Sequence, residues 1–334
     1  MLAVRFHSCG DPSVLRAEQV PEPAGPVRDQ ILVQVHASSV NGTDLGLRRG
    51  DLKVATLGRM PFTPGFDLAG TVVACGPAVT AFSPGDRIMA LLGHGGGGQA
   101  ERVVLRQTRA ARAPAGCSLT QAAALPLAAL TALQALHGRA HLPARPAGSR
   151  VLVVGACGGI GSYAVQLAKL AGAHVTAVAS GPKLPYAAEL GADELIDRAD
   201  QDATGLGGHW DVILDTPGAL KLGHTRAALA PGGVLVSTRP LSRDALQSLA
   251  PWPIRRARAR FAAVRTQASS QDLAHLAALV DTGRLRPTLQ HAFPATQAAA
   301  AHQHAEGPAT GKVVLQLATA SAAGVTSQTE PPAR

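Results

Sequence analysis

The segment GACGGIG, residues 155–161, sets Gly155, Gly158, Gly159 and Gly161 between an apolar run, VLVV, and an amphipathic run, SYAVQLAK. Glycines at this spacing let a chain leave a buried strand, turn sharply and open a helix with no Cβ between the backbone and a bound group. The first turn of such a helix offers unpaired N–H groups and a partial positive charge. The chemistry this suits is the seating of a dinucleotide diphosphate. Ala156 stands at the first position of the G-x-G-x-x-G fingerprint, which is then kept at Gly158 and Gly161. A close-packed strand–helix corner without ligand is the plainer alternative.

The end of the next strand selects the nucleotide. A site for NADH places Asp or Glu there, about 20 residues beyond the glycines, on the ribose 2′-hydroxyl. This chain reads AVASGPK, with Ser180 where the acid would sit, Lys183 close behind, and no carboxylate before Glu189. Ser180 and Lys183 suit a 2′-phosphate, so the expected cofactor is NADPH rather than NADH. An ordinary solvated lysine is the competing account of Lys183.

These groups need a scaffold, and the chain's patterning supplies one. From residue 150 onward, short apolar runs alternate with helical stretches: VLVV (151–154), HVTAVA (174–179), ELID (194–197), DVILD (211–215) and GVLVST (233–238). Alternation of this kind predicts a parallel sheet with helices on both faces. The first 115 residues or so differ: ILVQV (31–35), AGTVVACG and DRIMALL are strand-like and are separated by Pro- and Gly-rich turns. Between the two textures lies LTQAAALPLAALTALQAL (119–136), expected as a long buried helix capped by Thr120 and kinked at Pro126. SQDLAHLAALVDTG (270–283) reads as a helix started by Ser270 or Asp272 and stopped by Gly283. ATQAAAAHQHAEG reads as another helix, and GKVVLQL as a last strand.

Bulk composition sets the limits. A chain of 334 residues is long for a single core and predicts two domains. With 46% apolar and 16% charged residues it has a globular composition. No apolar run reaches the ~18 residues of a membrane span, and the N-terminal segment lacks the apolar core of a secretory signal. Cys9, Cys75, Cys117 and Cys157 form no C-x-x-C pair, so reduced thiols in a cytoplasm are expected. Lys plus Arg exceed Asp plus Glu by 31 − 22 = 9, a surplus that favours anionic ligands, whether nucleotide cofactors or nucleic acid.

The motifs ASSVNGTDLGLRRG, PFTPGFDLAGTVVACGPAVTAFSPGDRIMAL, GGGQAERVVL, LPLAALTALQAL, GACGGIGSYAVQLAK, LGADELID and GRLRPTLQHAFP…GKVVLQL occur in one order. Over roughly residues 1–317 the chain thereby resembles the medium-chain dehydrogenases/reductases, most closely the zinc-free branch of NADPH:quinone oxidoreductases. The resemblance implies an α/β fold: a GroES-like β-rich catalytic domain from residues 1–122 and 265–318, a doubly wound Rossmann domain from 123–264, and a disordered tail over 319–334. It also implies an active site in the cleft between domains and a homodimer. Asn41 and Asp44 would line that cleft as orienting groups, Asp44 having a helix or turn cap as its plainer role. Thr131 would touch the cofactor, Gly155, Gly158, Gly159, Ile160 and Gly161 would surround its diphosphate, Arg198 would stack on adenine, and Lys312 would approach a phosphate unless it is simply a strand-end lysine.

Zinc-dependent relatives carry a Cys where this chain has Asn41, and a His–Glu pair where it has Phe66–Asp67. An amide is a poor substitute for a thiolate and a phenyl ring ligates nothing, so no metal is expected. His94, His137 and His141 lack ligand spacing. Without a metal to polarise an alkoxide, the suited acceptor is already electrophilic: a quinone or an α,β-unsaturated carbonyl. Enoyl-thioester reduction is the alternative within the same superfamily. Relatives with that activity often carry a Tyr near residue 50, and here the only tyrosines are Tyr163 and Tyr186. A different class, an NADPH-sensing or RNA-binding protein without catalysis, is suggested by Arg255, Arg256, Arg258, Arg260 and Arg265; the low aromatic content, 3%, opposes single-strand stacking.

Overall fold

Two large sheets and one antiparallel pair of strands, the first two in the chain, organise the molecule. The structure is a computed structural model and describes residues 1–52, 60–93, 95–200, 209–238, 261–308 and 310–317. Its strands, in chain order, are β1 (Leu2–Phe6), β2 (Leu15–Gln19), β3 (Gln30–Val40), β4 (Asp67–Cys75), β5 (Arg87–Leu91), β6 (Arg102–Arg106), β7 (Ala110–Arg112), β8 (Arg150–Val154), β9 (His174–Ala179), β10 (Glu194–Asp197), β11 (Trp210–Asp215), β12 (Leu229–Ser237), β13 (Phe261–Ala263), β14 (Leu289–Pro294) and β15 (Lys312–Gln316).

Six of them form a parallel sheet in the order β10-β9-β8-β11-β12-β13. Chain order therefore runs outward from β8 in one direction and then reverses at β11, which leaves a crevice at the carboxyl ends of β8 and β11. Val151, Leu152 and Val153 are all fully buried, as a parallel strand covered on both faces requires. The unbroken VLVV run is the sequence form of that burial.

The second sheet has the order β14-β15-β3-β4-β5-β7, with β6 also paired to β3. Its long strand β3 alternates Ile31, Val33 and Val35 into the core before ending in buried Ser38 and Ser39. The last two strands return to this sheet: β15 pairs antiparallel with β3, Val313 opposite Val40. The C-terminal part thus completes an architecture begun by the N-terminal strands.

Between the sheets lies helix α1 of the interface, Pro126–Leu133, with seven of its residues buried. The expected single kinked helix is in fact two. Pro126 occupies the first turn of its own helix, where a missing N–H costs nothing, and a separate turn, Leu119–Ala122, precedes it. That turn is capped by Ser118, whose hydroxyl accepts from the Gln121 N–H at 3.2 Å, so the expected Thr120 cap is corrected. Further on, α2 (Gly161–Leu170) follows β8, α3 (Ser270–Asp281) packs on β7 and on α1, and α4 (Ala298–Glu306) precedes β15. The cap of α3 is Ser269 rather than Ser270 or Asp272, its hydroxyl accepting from the Asp272 N–H, while Gly283 ends the segment at φ +69°.

One apolar core runs through both sheets. It joins Ala37, Ala69 and Met89 to Leu130, Val153, Val165 and Leu276. Among the described residues no helix is long and apolar enough to cross a membrane, and all four cysteines are free thiols. The expected tail 319–334, His94, and Arg255, Arg256, Arg258 and Arg260 lie outside the described residues; Arg265 is exposed.

Candidate active site

The glycine turn sits at the crevice between β8 and β11. Gly155 has φ +74°, and a Cβ there would meet Thr216 Oγ1 at 2.6 Å, so the loop after β11 rests directly on it. Gly161 opens α2 so close to the turn that a Cβ would lie 2.1 Å from the Gly155 carbonyl oxygen. The Gly155 N–H donates to Val178 O at 3.0 Å and the Gly158 N–H to Gly155 O at 3.0 Å. The N–H groups of Gly159 and Ile160 find no acceptor among the described residues, at the positive end of a ten-residue helix. Free backbone donors on a half-exposed, glycine-rich turn fit an anionic diphosphate.

Beyond β9, Ser180 leads into a single 3-10 turn, Gly181–Lys183. The Lys183 carbonyl accepts from Cys157 Sγ at 3.1 Å, which ties this turn to the glycine turn. Arg198 follows β10 as an exposed side chain, its N–H donating to Ala179 O at 2.9 Å. Burial holds the Lys183 pKa below the usual lysine range, and the Arg198 charge lowers it further. Two cations therefore flank this edge. One group escaped the sequence reading: Asp197, from the neighbouring strand, comes so close that a Cβ on Gly181 would meet its Oδ2 at 2.3 Å. A linear search for an acid after β9 misses it because strand pairing, not chain distance, delivers it.

Asn41 follows β3, at the N-cap of the helix Gly42–Arg49 and inside a buried polar cluster. Its carboxamide Nδ2 donates to Ser39 O at 3.3 Å, Ser39 Oγ at 3.2 Å and Asp67 Oδ2 at 3.3 Å, while its Oδ1 accepts from Lys312 Nζ at 2.5 Å. Lys312 Nζ also donates to Val40 O at 2.9 Å. The lysine is thus turned inward, only 4% exposed, instead of reaching out from a strand end. Its stem lies under the glycine turn: a Cβ on Gly159 would meet Lys312 Cδ at 2.9 Å, and the Gly311 N–H donates to Cys157 O at 2.8 Å.

Asp44 caps the helix Gly42–Arg49, accepting from the Asn41 N–H at 2.8 Å and from the Gly65 N–H at 2.7 Å. Its carboxylate is fully buried and both oxygens are occupied by backbone donors, so the cap is its observed role. Burial raises its pKa to about 7, with the charge on Asp67 adding to the rise and Lys312 opposing it. Asp67 pKa is likewise raised by burial, against Lys312 and the Ser39 hydrogen bonds. Lys312 pKa is lowered by burial, against the two carboxylates. Asp67 binds the Ser39 N–H and hydroxyl, Asn41, and the Leu127 N–H at the start of α1 at 3.3 Å. In the sequence Asp67 stands only as half of a lost zinc pair, and the available signal is an acid kept beside an apolar Phe66.

Thr131 is 3% exposed, and its hydroxyl donates to Leu127 O and lies 2.6 Å from Thr266 Oγ1. It pins α1 to the segment preceding α3. Tyr163 is also structural: its hydroxyl donates to Ala124 O at 3.0 Å and accepts from the Thr288 N–H at 3.1 Å, and burial raises its pKa. Among the described residues no three His, Cys, Asp or Glu side chains converge as a metal-ligand set.

Residues 27–115 match the family described as the alcohol dehydrogenase GroES-like domain, and residues 190–315 the one described as zinc-binding dehydrogenase. The chain is 31% identical over 325 residues to the chloroplast envelope quinone oxidoreductase homolog of Arabidopsis thaliana, covering 95% of this chain and 98% of that one. The chain belongs to the medium-chain dehydrogenases/reductases. Within that superfamily it falls in the quinone oxidoreductase-like branch, and it is an oxidoreductase that uses a nicotinamide dinucleotide. The quinone oxidoreductase of Coxiella burnetii has the same architecture, with a TM-score of 0.87 at 28% identity over 95% of this chain and 99% of that one. The NADPH-dependent alkenal/one oxidoreductase of Arabidopsis thaliana chloroplasts is 30% identical over 342 residues, or 94% of this chain and 79% of that one. This medium-chain oxidoreductase thus has its glycine turn and its Asn41 cluster on opposite sides of one buried lysine.

Proposed function

We propose that the protein reduces a quinone or an activated α,β-unsaturated carbonyl with NADPH, without zinc, and works as a cytoplasmic homodimer. The observation that carries the reading is the contact between the dinucleotide cradle and the Asn41 cluster through Lys312. When bound, NADPH supplies a hydride from its nicotinamide ring. The N–H groups of Gly159 and Ile160 bind the diphosphate. Asn41 and the groups that hold it line the cleft and fix where the acceptor carbonyl lies. Holding the two reactants close and oriented would supply most of the acceleration, and the acceptor's proton would come from water. Tyr163 is not available as a donor, since its hydroxyl is committed to Ala124 O, and no tyrosine stands near residue 50; together these disfavour a tyrosine-assisted enoyl-thioester reductase.

The donor chemistry supports the absence of a catalytic metal. Phe66 offers no ligand atom, and the Asn41 carboxamide oxygen faces an ammonium at 2.5 Å, a neighbour that repels a metal cation. Metal analysis of the purified protein is expected to find no stoichiometric zinc.

Ser180, Lys183 and Arg198 support the choice of NADPH, because two cations beside a hydroxyl favour a 2′-phosphate. Asp197 favours a second reading, NADH, since a carboxylate at Gly181 suits a ribose diol. Loss of reduced-nicotinamide absorbance, followed with each dinucleotide against a panel of small quinones and enones, separates the two. The expected outcome is turnover with a preference for NADPH that Lys183→Ala diminishes by about tenfold, the scale of one lost charge-assisted contact. Turnover with NADH alone would assign the dinucleotide to Asp197, and none with either would remove the quinone and enone reading. Light scattering tests the dimer and cell fractionation the location.

A further inference from the structure

Asn41 is the only asparagine in the chain, and both ends of its carboxamide are held. An ammonium only donates and a carboxylate only accepts. With Lys312 Nζ on one side and Asp67 Oδ2 on the other, one orientation of the amide is satisfied and its flipped form would set the Nδ2 protons against Lys312. Lys312 is 4% exposed, and its ammonium makes its two described hydrogen bonds to Val40 O and Asn41 Oδ1. Among the described residues no carboxylate lies within ion-pair distance of it, although Asp67 and Asp44 both act on its charge. A desolvated ammonium whose partners include a neutral amide is costly to keep for stability alone.

We propose that Lys312 is a positioning residue for the reaction: it locks the Asn41 carboxamide in one orientation and couples that orientation to the glycine turn through the contact of its stem with Gly159. The proposal rests on the hydride-transfer reading for its catalytic consequence, and on the geometry alone for the lock. Lys312 acts through Asn41 and is not assigned contact with a phosphate or with the substrate.

Two measurements on the full-length protein test it. Labelling with 15N-asparagine gives a single side-chain NH2 pair, because no other asparagine exists. In the wild type the two protons are expected as sharp, distinct signals with slow solvent exchange; in Lys312→Met they are expected to broaden or exchange at least tenfold faster, and Lys312→Arg is expected to restore part of the protection. An unchanged NH2 pair in folded Lys312→Met overturns the lock.

The second measurement is a double-mutant cycle on turnover. Lys312→Met is expected to lower kcat on the order of tenfold to a hundredfold, the scale of a displaced catalytic group, with KM for the reduced dinucleotide changed less than about threefold. In the Asn41→Ala background the same substitution is expected to do almost nothing further. Equal effects of Lys312→Met with and without Asn41 would overturn the proposal, since a merely structural lysine acts in both backgrounds. A rise in KM alone would assign Lys312 to dinucleotide binding instead. If the wild type turns over no acceptor, the hydride-transfer reading fails by itself and the NMR result still decides the lock. Should Lys312→Met not fold, Lys312→Gln and Lys312→Arg are read by the same two measurements.

Discussion

At His302, buried in α4, both ring nitrogens lack a partner among the described residues. Burial pushes its pKa down to about 3, and the Arg48 charge adds to the fall. An unfolded histidine takes up a proton near its ordinary 6.5, and the folded one does not until about 3. The contribution to stability is therefore complete above 6.5 and is lost as pH falls toward 3, at up to about 1.4 kcal/mol per pH unit. His302→Leu is expected to gain roughly 2 kcal/mol at pH 5 relative to its effect at pH 8, measured by urea unfolding. Asp44 has the opposite sign, losing stability as pH rises from 3.8 through about 7, and it cancels from the difference because both proteins carry it. Equal effects at the two pH values would refute the neutral buried imidazole. None of this was legible in the sequence, where HQH inside an Ala-rich helix gives no sign of which ring is buried. Asp44 was legible as a cap, since Asn-Gly-Thr-Asp has an acid three residues past a capping position.

At the level of elements, the glycine turn was the most legible feature, because its need for glycine is local: strand, turn and helix adjoin in sequence. Gly161→Ala is expected to disrupt it, since the new Cβ would fall within 2.1 Å of Gly155 O. The strain, on the order of 1–3 kcal/mol, should appear as lower stability and as dinucleotide affinity weakened about tenfold or more in a fluorescence titration; unaltered affinity would contradict the cradle. Gly159→Ala acts on another partner, the Lys312 stem. Tyr163→Phe tests the junction between elements. It leaves Ala124 O and the Thr288 N–H unpaired in the interior, at about 1–3 kcal/mol by chemical denaturation; a cost near zero would mean that water reaches both groups. Helix α1 was only half legible. Its apolar run was plain, yet Pro126, expected as an interior kink, stands in a first turn, and Ser118 caps a separate turn before it.

Across the whole molecule, the glycine turn and α2 are stitched to the segment that leads into β14. Gln166 exchanges hydrogen bonds with Arg286, Ser162 Oγ donates to Thr288 Oγ1, and the apolar core is shared by both sheets. Binding at the turn should consequently protect both sheets. A saturating dinucleotide, near a hundredfold excess over Kd, is expected to raise a single melting transition by roughly 5 °C. Two transitions, of which one moves, would separate the sheets into independent units. The α/β class and the parallel sheet were readable because alternating strands and helices leave few topologies, whereas the strand order came from the structure. The Asn41–Lys312 link was not readable, since it joins residues 41 and 312 by a long-range return of the chain. That link has a last consequence. Asn41 precedes Gly42, the neighbour that least obstructs attack of a backbone nitrogen on an asparagine side chain, with ammonia leaving and a cyclic imide forming that water opens to an acid. Gripped at both ends, the amide is shielded from that ageing while the protein stays folded. Material left unfolded before renaturation would acquire a carboxylate between Asp44 and Asp67, and carry the record of its past as a single acidic shift on isoelectric focusing.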